Sequence, residues 1–322
     1  MWPKVEWVAS AFENIGHTVR RISKERILQD LPIALKECDL VVFPHKSVGG
    51  RWPNVKDAIR DRRCPVVYWW FDLVALQPGL PLAQQALFKQ YAKPNSSMFL
   101  ESDIVLVKER GMIDEYRNAG VNAYWFDQGV PANFPEIVRK EAEWDLILWG
   151  QGSPWKDRVR DVQAVVDAGF KVAWATSTPD KIPQGVERLP WTHPNQLHEL
   201  ASRARCVLSC GFRNDVAGYW SDSFWMAVGM GACVMRRGTA GMPEGPYHVY
   251  RTPQELVHLV QWSIDNPLQA ENYGRMAAKW AKEKHSLEER AKALIRLVQT
   301  ARERGEFTLP KTGSGNLSVA SA

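Results

Sequence analysis

Residues 145–153 read Asp-Leu-Ile-Leu-Trp-Gly-Gln-Gly-Ser, and their reading decides the fold class. Asp145–Trp149 has the length and apolar content of a strand buried on both faces. Glycines 150 and 152 break the run at once, and Lys156–Ala168 follows with apolar residues at helical spacing. Strand, glycine turn and helix together make the unit of a parallel α/β sheet. Glycines at such a turn let backbone N–H groups approach a phosphate, and the helix N-terminus favours its negative charge. Gly150, Gly152, Ser153 and Lys156 are therefore candidate phosphate contacts, with Arg158 in the same first turn. The same GxG also serves elsewhere as a plain tight turn.

The alternation continues toward the carboxyl end. Strands are expected at 171–175, 186–189, 205–209 and 232–236, and helices at 195–204, 221–229, 253–266, 268–284 and 287–304. Toward the amino end, a helix over 5–15 stops at Gly16, and a short strand at 18–22 and a helix at 28–36 follow. The apolar runs Asp-Leu-Val-Val-Phe-Pro (39–44) and Pro-Val-Val-Tyr-Trp-Trp-Phe-Asp (65–72) flank a helix over 54–63. A loop or broken helix covers 77–97, then strand 103–108, helix 112–119 and strand 123–126. These are two doubly wound α/β domains: 1–140, and 141–306 after the polar stretch 135–143. Residues 307–322 carry no core-forming pattern and are expected to be a flexible tail. Ligands of such sheets bind at the carboxyl ends of the strands, so a cleft between the domains is the expected site. One feature is unusual. The chain opens on a helix where such a domain opens on a strand, so that strand is either missing or reduced to Met1–Lys4.

A length of 322 residues suits about two domains of ~150 residues. No uninterrupted run of about 18 apolar residues occurs, and the first residues lack a secretory apolar segment, which points to a soluble cytoplasmic protein. The five cysteines form no CxxC pair and no zinc spacing, so reduced, buried thiols are expected. A net charge of +5 suits an enzyme of phosphate-bearing substrates and lies below that of a dedicated nucleic-acid binder. Arg51, Lys56, Arg60, Arg62 and Arg63 nonetheless cluster, either as a solvated helix face or as a surface for phosphates. The 15 tryptophans can serve the core or form stacking walls for sugars and bases.

A second strand-end loop begins at Ser209-Cys210-Gly211-Phe212-Arg213-Asn214 and runs through Tyr219-Trp220-Ser221-Asp222-Ser223 into a helix. Ser221 or Asp222 fits a helix N-cap; the alternative is that Ser221, Asp222 and Ser223 contact a ribose and a diphosphate. The stretch from Ser221 through Gly229-Met230-Gly231-Ala232-Cys233 continues into Met242-Pro243-Glu244-Gly245, Tyr250 and Pro253-Gln254-Glu255-Leu256. It ends at His285-Ser286-Leu287-Glu288-Glu289-Arg290. As an ensemble these segments resemble the carboxyl half of the CgeB-like branch of GT-B glycosyltransferases, over roughly residues 100–300.

The resemblance implies two Rossmann-like domains facing a cleft, with the carboxyl-terminal helix packing back. It implies a nucleotide-diphosphate sugar as donor, with UDP-sugar expected, held by the carboxyl-terminal domain; no bound cofactor and no metal are implied. Gly150, Gly152 and Arg213 would face the diphosphate, Ser221 and Asp222 the diphosphate or ribose, and Trp191 would stack on the base. One position departs: related retaining enzymes carry a glutamate where this chain has Met226, and Asp222 can take over its ribose contact.

Transfer requires that the leaving diphosphate be neutralised and, for inversion, that the acceptor hydroxyl lose its proton. Asp72 and His45, each at the end of an apolar run, are the candidate bases; a turn-capping Asp72 and a loop-bound His45 are the structural alternatives. The acceptor is a small molecule, a polymer, a protein or a modified base. Bacteriophage DNA-base glycosyltransferases resemble this architecture, and Arg51, Lys56, Arg60 and Lys89 could line a path for double-stranded DNA whose target base is flipped out. A sugar-nucleotide epimerase and a non-catalytic binding protein on the same scaffold are the alternatives. Oligomeric state is left open.

Overall fold

The computed structural model describes residues 4–44, 52–72, 75, 77–86, 88–89, 96–151, 156–178, 182–210, 216–306 and 319–321. The chain forms two compact units, one of Pro3–Gln128 with Leu287–Ala322 and one of Gly129–Ser286.

The first unit runs α1 (Lys4–Asn14), β1 (Val19–Arg21), α2 (Ile27–Glu37), β2 (Leu40–Pro44), α3 (Trp52–Arg60), β3 (Val66–Trp69), α4 (Ser96–Glu101), β4 (Ile104–Val107), α5 (Ile113–Asn118) and β5 (Ala123–Trp125). The second runs β6 (Trp144–Trp149), α6 (Lys156–Asp167), β7 (Val172–Ala175), β8 (Glu187–Leu189), α7 (Leu197–Ala201), β9 (Ala204–Ser209), α8 (Asp222–Gly229), β10 (Val234–Arg237), β11 (His248–Tyr250), α9 (Pro253–Asp265) and α10 (Pro267–Lys284). The chain then returns to the first unit with α11 (Leu287–Glu303) and β12 (Val319–Ser321).

Each unit holds one six-stranded parallel sheet. In the first, Val41, Phe43, Val66 and Tyr68 pack against Leu31 and Leu35 of α2 and Val55 and Ile59 of α3. The alternate residues Leu40, Val42, Val67 and Trp69 pack against Val8 and Phe12 of α1 and Leu294 and Val298 of α11. With both faces covered, every position of β2, β3 and β4 is buried, which is why these strands are continuous apolar runs in the sequence. This is the doubly wound α/β architecture expected.

Two assignments change. The sequence places residues 287–304 with the carboxyl-terminal domain, whereas α11 belongs to the first unit. Its stripe of Leu287, Ala291, Leu294, Val298 and Ala301, at helical spacing, is buried beside α1. A strand from the other end of the chain enters this sheet: β12 lies between β1 and β2, parallel to both, in the order β1-β12-β2-β3-β4-β5. Lys4 itself belongs to α1. Of the tail beyond residue 306, residues 307–318 and 322 lie outside the described residues.

The second sheet has the order β11-β10-β9-β6-β7-β8. The chain leaves β6 toward β7 and β8, then returns to lay β9, β10 and β11 on the other side. The reversal falls between β6 and β9, the kind of switch point at which ligands of such sheets bind.

Candidate functional site

The loop after β6 turns at Gly150, whose φ of +107° strains any side-chain-bearing residue. Its N–H donates to the Ala175 carbonyl at 3.0 Å, and its own carbonyl accepts from Trp174 Nε1 at 2.8 Å. Arg158, in the first turn of α6 and 7 % exposed, donates from Nη1 to the Gln151 carbonyl at 2.8 Å and from Nη2 to the Cys210 carbonyl at 2.5 Å. A single guanidinium thus ties the loop after β6 to the loop after β9, across the switch point.

α8 starts beside the second of these loops. Ser221 is its N-cap by position, but its side chain makes no capping bond. The Ser221 hydroxyl instead lies 2.6 Å from that of Ser223. The N-cap expectation for Ser221 is therefore met in backbone only. Contrast α9, where Thr252 accepts from the Glu255 N–H at 3.2 Å and Pro253 holds the first turn.

Asp72 stands just beyond β3, half-buried. Burial, with the Asp72 charge nearby, pushes the Tyr68 phenol well above its ordinary range. Trp191 stands two residues beyond β8, 47 % exposed and edge-on to His193 at 6.2 Å. Lys89 is exposed, its N–H bonded to the Gln85 carbonyl. Arg60 is exposed but pairs with Asp57 and Glu101, each at 3.4 Å, and Arg62 with Asp103 at 2.5 Å. Two of the cluster's five charges, those of Arg60 and Arg62, are thus answered locally. His45, Arg51, Gly152, Ser153 and Arg213 lie outside the described residues, as do the side chains of Lys56 and Lys156.

Sequence reasoning misses several buried polar groups at strand ends. Glu109, fully buried after β4, accepts from the Ala75 N–H and the Tyr116 hydroxyl, each at 3.3 Å. Asp127, after β5, pairs with Arg290 of α11 at 3.6 Å, and Arg290 Nε also donates to the Gln128 carbonyl. On β10, Arg236 has no exposed surface. Glu109 and Asp127 follow apolar runs and were open to the reasoning that picked Asp72; Arg236 carries no comparable signal.

No disulfide joins the five cysteines. Burial pushes the Cys64 and Cys233 thiols up to about 12 and raises that of Cys206 as well, which suppresses the reactive thiolate. Among the described residues no group of three or more His, Cys, Asp or Glu could hold a metal ion. None of the described helices is long and apolar enough to cross a membrane.

No curated protein matches the chain by sequence. Its fold is shared by several solved structures. HepE of Anabaena, solved in complex with UDP-glucose, superposes with a TM-score of 0.58 at 12 % identity, covering 86 % of this chain and 82 % of that one. T4 phage BGT, solved with its substrate UDP-glucose, gives 0.54 at 11 %, covering 82 % and 83 %. TarM gives 0.59 at 10 %, covering 84 % of this chain, which spans only 57 % of TarM. At such identities the likeness speaks for the fold, here two Rossmann-like units of the GT-B plan. Residues 132–296, from the start of the second unit into α11, match the model of one family. That match takes in just over half of the sequence, the switch point and α8 included, and by it the chain belongs to the glycosyl transferase-like family.

Proposed function

We propose that this protein moves a sugar from a nucleotide-diphosphate donor, a UDP-sugar, to an acceptor hydroxyl. The observation that carries the reading is the Arg158 tie between the Gln151 and Cys210 carbonyls. It draws together two strand-end loops at the switch point, next to a helix whose N-cap side chain is turned away from capping. Such a place favours a diphosphate, because helix N–H groups and a nearby guanidinium both stabilise negative charge. In transfer the same groups neutralise the leaving diphosphate. Gly150, Ser221, Asp222 and Ser223 are assigned to it, with Gly152, Ser153, Lys156 and Arg213 completing the set and Trp191 against the base. Asp72, or His45, takes the acceptor proton.

For the acceptor we favour the hydroxyl of a 5-hydroxymethylated pyrimidine in double-stranded DNA. Support comes from exposed Lys89 and from the fold shared with a β-glucosyltransferase described as a DNA modifying enzyme. Arg60 supports it less, since Asp57 and Glu101 engage its charge. A binding protein without transfer is the second reading, favoured by Met226. That side chain is 3 % exposed inside α8, where related retaining enzymes carry a glutamate.

The deciding experiment measures nucleoside-diphosphate release from a panel of UDP-sugars, with and without hydroxymethylated duplex DNA. DNA-dependent release, with a sugar-sized mass gain on the digested nucleoside, supports the whole reading. Release indifferent to DNA supports transfer and overturns the DNA acceptor. No release by folded protein, with UDP still bound, replaces transfer by binding.

A further inference from the structure

Arg236 presents an unusual charge. It lies on β10 with no exposed surface, and its guanidinium donates from Nη1 to the Ser209 carbonyl at 2.9 Å and from Nη2 to the Tyr219 carbonyl at 3.4 Å. Phe224 of α8 stands 5.8 Å from it, ring face toward the cation. The titratable groups around it are the Cys210 thiol and the phenols of Tyr219, Tyr247 and Tyr250. Among the described residues no carboxylate pairs with it, and its Nε has no hydrogen-bond partner. A buried charge is ordinarily paired, because desolvation without a counter-charge is expensive. Burial accordingly pulls the Arg236 pKa below its usual value.

Its neighbours share the deficit. Ser209 is its register partner on β9, and the Ser209 hydroxyl, 1 % exposed, has no partner. One strand further, the pairing of Ile147 with Val207 brings Trp149 and Ser209 to the same level and face of the sheet, two residues on. Trp149 Nε1 is buried without a partner, and so is Nε1 of Trp220, the residue after the carbonyl that Arg236 holds. Four buried donors without an acceptor, Arg236 Nε, the Ser209 hydroxyl and Nε1 of Trp149 and Trp220, therefore belong to residues at the carboxyl ends of β6, β9 and β10 and at the entry to α8. Structures leave few buried polar atoms unsatisfied, and a shared lack of acceptors defines the chemistry of what is wanted: an anion that only accepts.

We propose that Arg236 is a positioning residue for the donor's diphosphate, supplying uncompensated buried charge and fixing the Ser209 and Tyr219 carbonyls so that the Trp149, Ser209 and Trp220 donors converge on phosphate oxygens. The proposal rests on the donor reading above and adds to it a residue that no sequence motif marks.

Arg236→Met and Arg236→Gln test it, with Arg236→Lys as the charge-keeping variant. Binding of UDP, inorganic pyrophosphate and uridine is measured by calorimetry, and thermal unfolding is followed without ligand. The expected result is a loss of about tenfold or more in UDP and pyrophosphate affinity for Met and Gln, with uridine unaffected and Lys intermediate, because an ammonium keeps the charge but cannot hold both carbonyls. Unliganded Arg236→Met loses its bonds to two buried carbonyls but also an uncompensated buried charge, so its unfolding temperature should stay near that of the wild type. A merely structural arginine would give the reverse: earlier unfolding, with unchanged UDP affinity in the folded fraction. Should Arg236→Met fail to fold, Arg236→Gln decides alone. Wild-type binding of UDP matched by Met or Gln overturns this inference. A wild type that binds neither UDP nor pyrophosphate overturns the donor reading instead.

Discussion

Arg237 Nη1 lies 2.7 and 2.6 Å from the two carboxylate oxygens of Asp161, one of which also accepts from the Tyr250 hydroxyl at 2.9 Å. Asp161 has no exposed surface, so this pair joins α6 to β10 and β11 from inside the second unit. Asp161→Asn keeps the volume and removes the charge, leaving Arg237 without its partner. Arg237 is half-buried, so breaking the pair costs less than the ~3–5 kcal/mol of a fully buried one. Urea unfolding should show a lowered midpoint with an unchanged slope; a midpoint within about 0.5 kcal/mol of the wild type would deny the pair its structural weight.

Gly274 of α10 meets the backbone carbonyl of Gly231 so closely that an added Cβ would overlap it. Two effects oppose each other in Gly274→Ala. Helix propensity favours alanine by about 1 kcal/mol, while forcing α10 off a backbone that cannot rotate aside costs about 1–3 kcal/mol. The contact is with backbone, so the second effect prevails and the variant unfolds at lower temperature. A stabilised variant would mean that α10 moves freely away from the turn at Gly231.

His248 sits between Trp262, at 4.6 Å, and Tyr273, stacked at 4.8 Å, and burial lowers its pKa below 6.5. The unfolded chain then binds this proton first as pH falls. Its contribution is therefore whole above about pH 6.5 and is lost as pH drops through the depressed folded value. Stability of His248→Phe compared with wild type at pH 7.5 and 5.5 should show a smaller acid loss in the variant. Equal losses would show that His248 titrates as it does in the unfolded chain.

Asp72→Asn should lower kcat by about 10²–10⁴-fold with little change in donor KM, provided Asp72 is the base. Steady-state rates with saturating acceptor check this. A variant with wild-type kcat would move the role to His45.

Ala320→Pro should open the first sheet, because proline removes a ladder donor from a strand paired on both sides. Amide exchange of β1 and β2 should quicken, while that of β6 and β9 stays as it was. Unchanged exchange in β1 and β2 would mean that β12 adds nothing to them.

Legibility in the sequence follows from what each element buries. Runs 39–44, 65–72 and 145–149 declare themselves because strands covered on both faces must be apolar throughout. The turn at Gly150 declares itself because a positive φ favours glycine. Arg236 and Arg237 could not be separated in this way. They are adjacent in a four-residue strand that looks like a solvated end. Strand alternation sends one beneath Tyr219 and the other to Asp161, a division visible only once register is known. β12 is silent for another reason: its Val-Ala-Ser joins the sheet through backbone pairing, which leaves no mark on side-chain pattern. The partner of α11 was equally hidden, since an apolar stripe states that a face is covered without stating by what.

The return of α11 and β12 to the first unit has a consequence for biosynthesis. The second unit is contiguous, so all of it has been made once the ribosome passes Ser286. The first is begun earlier yet must wait with an open seam between β1 and β2, and with Val8 and Phe12 uncovered, until residues 287–321 emerge. The order of completion is therefore the reverse of the order of translation, and for that interval the half-built sheet is the part of the nascent chain most in need of a chaperone.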